Sequence, residues 1–169
     1  MDQSVELNLD LSHWCSVKEH IWNTGYKPTN KGEATHDWQF RIKDSKDGDM
    51  RHYIEKIVIK LPKTFAEPVR EFTEPPYVVR ESGYGNFEIN VDIYFKGIKD
   101  KDPARRTQMQ YSLFLSPSLE ALSSGNKDKL KRENTYTQRR LVTLSHKDPS
   151  VIKRLIKGKQ TARHSFENF

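Results

Sequence analysis

Polar and apolar residues alternate with a period of two in four stretches of the chain, the pattern of a strand with one buried face. In FEINVDIYF, Phe87, Ile89, Val91, Ile93 and Phe95 fall on one side and Glu88, Asn90, Asp92 and Tyr94 on the other. HDWQFRIK turns Trp38, Phe40 and Ile42 inward, and MQYSLFL does the same with Met109, Tyr111, Leu113 and Leu115. YIEKIVIKL carries Ile57, Ile59 and Leu61 on one face, while Ile54 breaks the parity, which predicts a bulge near Glu55 and Lys56. Three weaker stretches, VELNLDL near the start, VVR at 78–80 and TYTQRRLVTL at 135–144, bring the total to about seven short strands. Gly, Pro and Asp separate them, and no helix-period pattern lies between consecutive strands. The expected fold is therefore all-β, an antiparallel sandwich, and not a parallel sheet with crossover helices.

One helix is legible. Asp148 suits an N-cap, Pro149 the first helical position, and Val151, Ile152, Leu155 and Ile156 form a stripe that should dock on the sandwich; Gly158 is the expected terminator. These signals divide the chain into a sandwich core at 1–115, an exposed Ser-, Gly- and Lys-rich connection at 116–134 with SLEAL as a helical turn, an added strand and docked helix at 135–158, and a disordered basic tail at 159–169.

Composition narrows the function classes. The 169 residues fit one domain, 34% hydrophobic and 31% charged, which is polar enough to expect residues outside the core. The single cysteine, Cys15, permits no internal disulfide and no cysteine-based zinc site, which fits a reducing compartment. No stretch approaches a membrane span and the start is not that of a leader, so a soluble, unsecreted protein without membrane partners is expected. The six histidines show no metal-ligand spacing, no phosphate-binding glycine fingerprint occurs, and Cys15 has no positioned base, so neither catalysis, a metal nor a cofactor is expected. Charge is uneven: residues 1–95 hold 12 Lys/Arg against 16 Asp/Glu, and residues 96–169 hold 17 against 7. The basic half would attract a polyanion, and nucleic-acid or nucleosome-surface binding is the second functional reading.

His36 and Trp38 of the HxW pattern, LPKTFAEP at 61–68, PPY at 75–77, ESGYGNF at 81–87 and YSLFL at 111–115 occur in the order and spacing of the YEATS domain, which the chain resembles over roughly residues 5–115. DPSVIKRLIKG at 148–158 resembles the terminal helix of the animal ENL-like branch. The resemblance implies an immunoglobulin-like sandwich whose loops form a slot for acylated (acetyl or crotonyl) lysine on histone tails, a nuclear setting and larger chromatin or transcription-elongation complexes as partners. Carried over residue by residue, Phe65 and Tyr84 are the aromatic walls and Thr64 accepts from the acyl amide. Gly83 and Gly85 leave the Tyr84 N–H free for the acyl carbonyl, and Phe87 closes the site. A planar neutral amide suits such walls, whereas an ammonium would be buried without a counter-charge.

His36, Ala34, Pro62 and Ser112 are expected at the slot edge or on the peptide path, His36 as a hydrogen-bonded structural partner of Asp37. Three of these depart from the branch pattern. Pro62 stands in place of a histidine, Ala34 in place of an aromatic, and Ser112 in place of an acid, with Glu81 or Asp92 as alternative readers of the peptide. KQTAR at 159–163 also matches a histone-tail string, which raises the possibility of histone mimicry alongside an ordinary basic tail.

Overall fold

The computed structural model describes residues 3–30, 32–125 and 127–167, with side chains through Ala162. Eight strands form two antiparallel four-stranded sheets. One has the order β5 (Tyr77–Gly83), β2 (His36–Asp44), β1 (Gln3–Val17), β8 (Glu133–His146); the other runs β4 (Val69–Phe72), β3 (Ile54–Lys60), β6 (Phe87–Phe95), β7 (Arg106–Leu113). This is the expected immunoglobulin-like sandwich. The alternating residues fill its centre: Leu7, Leu9, Leu11, Trp38, Phe40, Ile57, Ile59, Ile89, Val91, Ile93 and Phe95 are all buried. The bulge is real, because the β3–β6 register slips between Ile54 and Lys56.

The pattern misses β4. Its four residues VREF alternate between exposed and half-buried at a sheet edge, so no apolar face marks them. The alternation also places Asp92 outward, whereas it is 2% exposed and paired with Lys60 at 2.7 Å. A buried carboxylate is tolerable only with such a partner.

Among the described residues three α-helices are present: α1 (Glu19–Thr24), α2 (Leu119–Ser123), where SLEAL is expected to turn, and α3 (Pro149–Glu167). Among the described residues no helix is long and apolar enough to cross a membrane. The Asp148 carboxylate caps α3 through the Ser150 N–H at 2.9 Å. Gly158 does not end this helix. It is buried against the His52 carbonyl, where a Cβ would lie 2.4 Å from the oxygen, so glycine here serves close packing. Residues 159–162 are likewise helical and not a loose tail: Lys159 donates to the Glu6 carbonyl, and Ala162 is buried beside Gly48. This disfavours histone mimicry by KQTAR, which needs an extended, detachable segment; the Arg163 side chain and residues 168–169 lie outside the described set.

Strand register gathers four connections at one end. Val17 pairs with His36, His36 with Gly83, Lys60 with Val69, and Phe87 with Leu113. The loops following or preceding these residues therefore meet around a common point.

Candidate functional site: an aromatic slot at one end of the sandwich

A cavity of about 330 Å³ opens where these loops meet. Eight of the ten expected residues line it: Ala34, Pro62, Thr64, Phe65, Gly83, Tyr84, Gly85 and Phe87. Two walls differ in character. Phe65 is half-buried, with its ring 5.2 Å from Phe87 and at 90° to Trp38, and Trp38 packs on Phe87 at 5.3 Å, so the wall is braced from behind. Tyr84 is 60% exposed and lines the same cavity from the turn between β5 and β6.

The Phe65 wall is presented by a tight loop. The Phe65 N–H donates to the Pro62 carbonyl at 3.1 Å, and the Leu61 N–H closes the loop base on the Pro68 carbonyl at 2.8 Å. One guanidinium then fixes it: Arg70 donates to the carbonyls of Ala66 at 2.9 Å and Glu67 at 2.6 Å, and to the Glu81 carboxylate on β5 at 2.6 Å. Glu67 itself sits in the left-handed region with φ +48, a conformation that these bonds help to hold. Arg70 thus ties the Phe65 loop to the strand that ends in Gly83. No motif pointed to it, since a lone arginine in a short edge strand looks like surface charge.

Gly83 and Gly85 call for a different explanation from free dihedrals. Neither has a positive φ. A Cβ on Gly83 would lie 3.3 Å from the Trp38 indole nitrogen, so this glycine permits close packing on the buried ring, while a Cβ on Gly85 would meet open space. The conformational need for glycine falls instead on Gly32, at φ +90, where an added Cβ would lie 3.8 Å from Tyr84 Cε1. Gly32, Ser82 and Asn86 complete the lining. Asn86 lay within the quoted ESGYGNF stretch, and its Oδ1 accepts from the Leu115 N–H at 2.9 Å, anchoring the Tyr84 turn to the end of β7. Among the described residues, the Tyr84 N–H finds no intramolecular acceptor.

His36 and Ser112 are not in the lining. His36 is buried beneath it, with Nδ1 2.7 Å from the Thr35 hydroxyl and Nε2 donating to the Pro117 carbonyl at 2.8 Å; it does not bond Asp37. Burial pushes the His36 imidazole below its ordinary pKa, although the carbonyl and nearby Asp37 work the other way. Thr35 in turn donates its N–H to the Gly83 carbonyl at 2.8 Å, so His36 supports the slot floor at one remove. Asp37 instead accepts from Lys18 at 2.8 Å and Ser82 at 2.6 Å; desolvation opposes its ionisation, but these bonds hold its carboxyl below the usual range. The Ser112 hydroxyl donates to Glu88 at 2.6 Å. Glu81 and Asp92, the alternative peptide readers, are engaged by Arg70 and Lys60.

The site has aromatic walls and an unbonded backbone donor, and no group of three metal-ligating side chains occurs among the described residues. Such an arrangement grips a flat, uncharged group.

Comparison with known proteins agrees with this picture. The chain is 35% identical to human Protein AF-9 over 112 residues, 66% of this chain and 18% of that protein. It is 39% identical over 70 residues to the Protein AF-9 homolog of Saccharomyces cerevisiae, 41% of this chain and 31% of that one. It therefore spans less than a third of either relative. The crystal structure of the Yaf9 YEATS domain bound to H3K27ac superposes with a TM-score of 0.67 at 21% identity, covering 93% of this chain and 96% of that one. Yaf9 recognising an H3K122suc peptide gives 0.62 at 22% identity with the same coverage. Both structures show a shared fold. The model of the YEATS family matches residues 33–117, half of the chain and all of the slot-forming loops except Gly32, and the chain belongs to that family.

Proposed function

We propose that the chain is a chromatin-reading module that binds acylated lysine of a histone tail in the slot between Phe65 and Tyr84, acting as a binder and not as a catalyst, in the nucleus. The observation that carries this reading is the open cavity shared by the braced Phe65 ring and the exposed Tyr84 ring, with the Tyr84 N–H left unbonded beside it. An acyl-lysine head lies between the rings, its carbonyl accepts from that N–H, and its amide N–H donates to the Thr64 hydroxyl. Stacking contributes about 0.5–1.5 kcal/mol beyond buried area, and leaving either hydrogen bond unmade in a dry slot costs about 1–3 kcal/mol. An unmodified ammonium is rejected because cation–π attraction of ~0.5–2 kcal/mol does not offset an unpaired buried charge. Solved structures show the Yaf9 YEATS domain bound to H3K27ac and recognising an H3K122suc peptide, which supports the ligand class.

The departures tune this site. Pro62 offers no side-chain donor at the edge, and Ala34 leaves the far end wide, so longer planar acyl groups such as crotonyl should bind at least as well as acetyl. The test is a histone-tail peptide panel, unmodified, acetylated and crotonylated, titrated against the wild type and Tyr84→Ala. Tyr84 is largely exposed, so the variant should stay folded while its affinity for modified peptides falls at least tenfold. Equal binding of the unmodified peptide, or full retention by Tyr84→Ala, would reject the reading.

A further inference from the structure

The formal charge of +6 is not spread over the surface. Residues 96–106 hold five Lys/Arg against two Asp, and residues 147–157 hold four against one, so the rest of the chain is balanced. Folding brings these two segments together. Arg154 on α3 donates to the Gly97 carbonyl at 3.2 Å, and His146 at the end of β8 meets Asp102 at 2.5 Å. The three acids are occupied locally. Asp100 lies 3.5 Å from Arg105, Asp102 accepts from the Ala104 N–H and from His146, and Asp148 caps α3. By contrast Lys99, Lys101, Arg106, Lys147, Lys153 and Lys157 are exposed and have no ion-pair partner among the described residues.

We infer that this end of the sandwich is a docking surface for the phosphate backbone of duplex DNA, separate from the slot. Unpaired cations that outnumber locally engaged acids gain from counterion release on a polyphosphate. Tyr94, the aromatic lining the cleft beside this surface, is already engaged by two cations, with Lys56 at 4.8 Å and Arg105 at 5.0 Å from its ring centroid, so it is not a free platform for stacking unpaired bases. Backbone contact with a duplex is the mode that remains. The surface lies at the β6 terminus opposite Phe87, and nine strand residues place it roughly 27 Å from the slot at ~3.4 Å per residue. A peptide and a duplex can therefore be held at once.

The test is binding of a 20-base-pair duplex of arbitrary sequence as salt is varied. About four phosphate contacts predict a slope of log affinity against log salt near −3.6, or roughly a 150-fold loss between 50 and 200 mM. Each of Lys99→Gln, Lys101→Gln, Lys153→Gln and Lys157→Gln should reduce the slope by about one, and the quadruple variant should flatten it. Acyl-peptide affinity and the melting temperature should stay unchanged, which separates this surface from the slot. A quadruple variant with wild-type affinity and slope would overturn the proposal. So would a poly-glutamate peptide of matched charge that binds as tightly with the same slope, because the surface would then be a dock for acidic protein.

Discussion

Gly158→Ala sets two opposed effects against each other, and the structure decides the sign. In an exposed helix interior the change should stabilise by about 0.8–1.0 kcal/mol through helix propensity. Here the new methyl would sit 2.4 Å from the His52 carbonyl oxygen and 3.3 Å from Tyr53 Cβ, ~1 Å inside van der Waals separation from a backbone atom that cannot rotate away. Relief requires lifting α3, yet Val151, Ile152, Leu155 and Ala162 anchor it on either side at 1–5% exposure. Overpacking of this kind costs about 1–3 kcal/mol, and a clash with a backbone oxygen lies in the upper part of that range, about 2–3 kcal/mol, so after the propensity gain the net effect should be a loss of about 1–2 kcal/mol. For a chain of this size that lowers the melting temperature by roughly 2–8 °C and moves the urea midpoint down with little change in slope. If the variant proves as stable as the wild type or more so, α3 is not seated on the 50–53 turn, and the account of the glycine fails.

Three further outcomes are expected. Arg70→Gln should weaken acyl-peptide binding five- to tenfold, about 1–1.4 kcal/mol, with a smaller effect on melting; Arg70→Lys should recover little, since one ammonium cannot replace the guanidinium fork, and unchanged affinity in calorimetry would remove its positioning role. Gly83→Ala should impair binding by displacing the Trp38 indole that braces Phe65 and Phe87, whereas Gly85→Ala should fold normally; equal behaviour of the two in melting and titration would contradict the packing described. Burial lowers the pKa of His13 and His36 below the unfolded value of about 6.5, although each donates to a backbone carbonyl that opposes the shift. The unfolded chain then binds more protons as pH drops, so stability should be full above about 6.5 and decline below it. The slope should be at most about 1.4 kcal/mol per pH unit for each imidazole, and a flat urea midpoint between pH 7 and 5 would refute this.

Legibility followed burial. Strands β2 and β6 could be drawn residue by residue because one face of each is packed and the other wet, which forces a period of two. Strand β4 could not, because this four-residue edge strand is exposed on one face and only half-buried on the other. Family motifs single out Phe65 and Tyr84 as the expected slot walls, and the structure places both on one cavity; turn chemistry alone gives a hairpin corner and a core phenylalanine. Arg70 and Gly32 escaped notice because each acts through a partner distant in sequence: Arg70 through Glu81, and Gly32 through the ring of Tyr84. Gly158 lacks a local signal for a related reason. In sequence a glycine after an apolar stripe looks like a helix end, and only the carbonyl of His52 pressed against it shows otherwise.

The alternation of side chains determined a two-sheet sandwich, and the order of five short motifs determined the family and the two rings, since both are properties of neighbouring residues. Tertiary structure decided which glycine needs its missing Cβ, which acids are already paired, and where the surplus charge collects. These depend on long-range contacts that loop closure creates, and no local pattern in the chain encodes the distance between two segments a hundred residues apart.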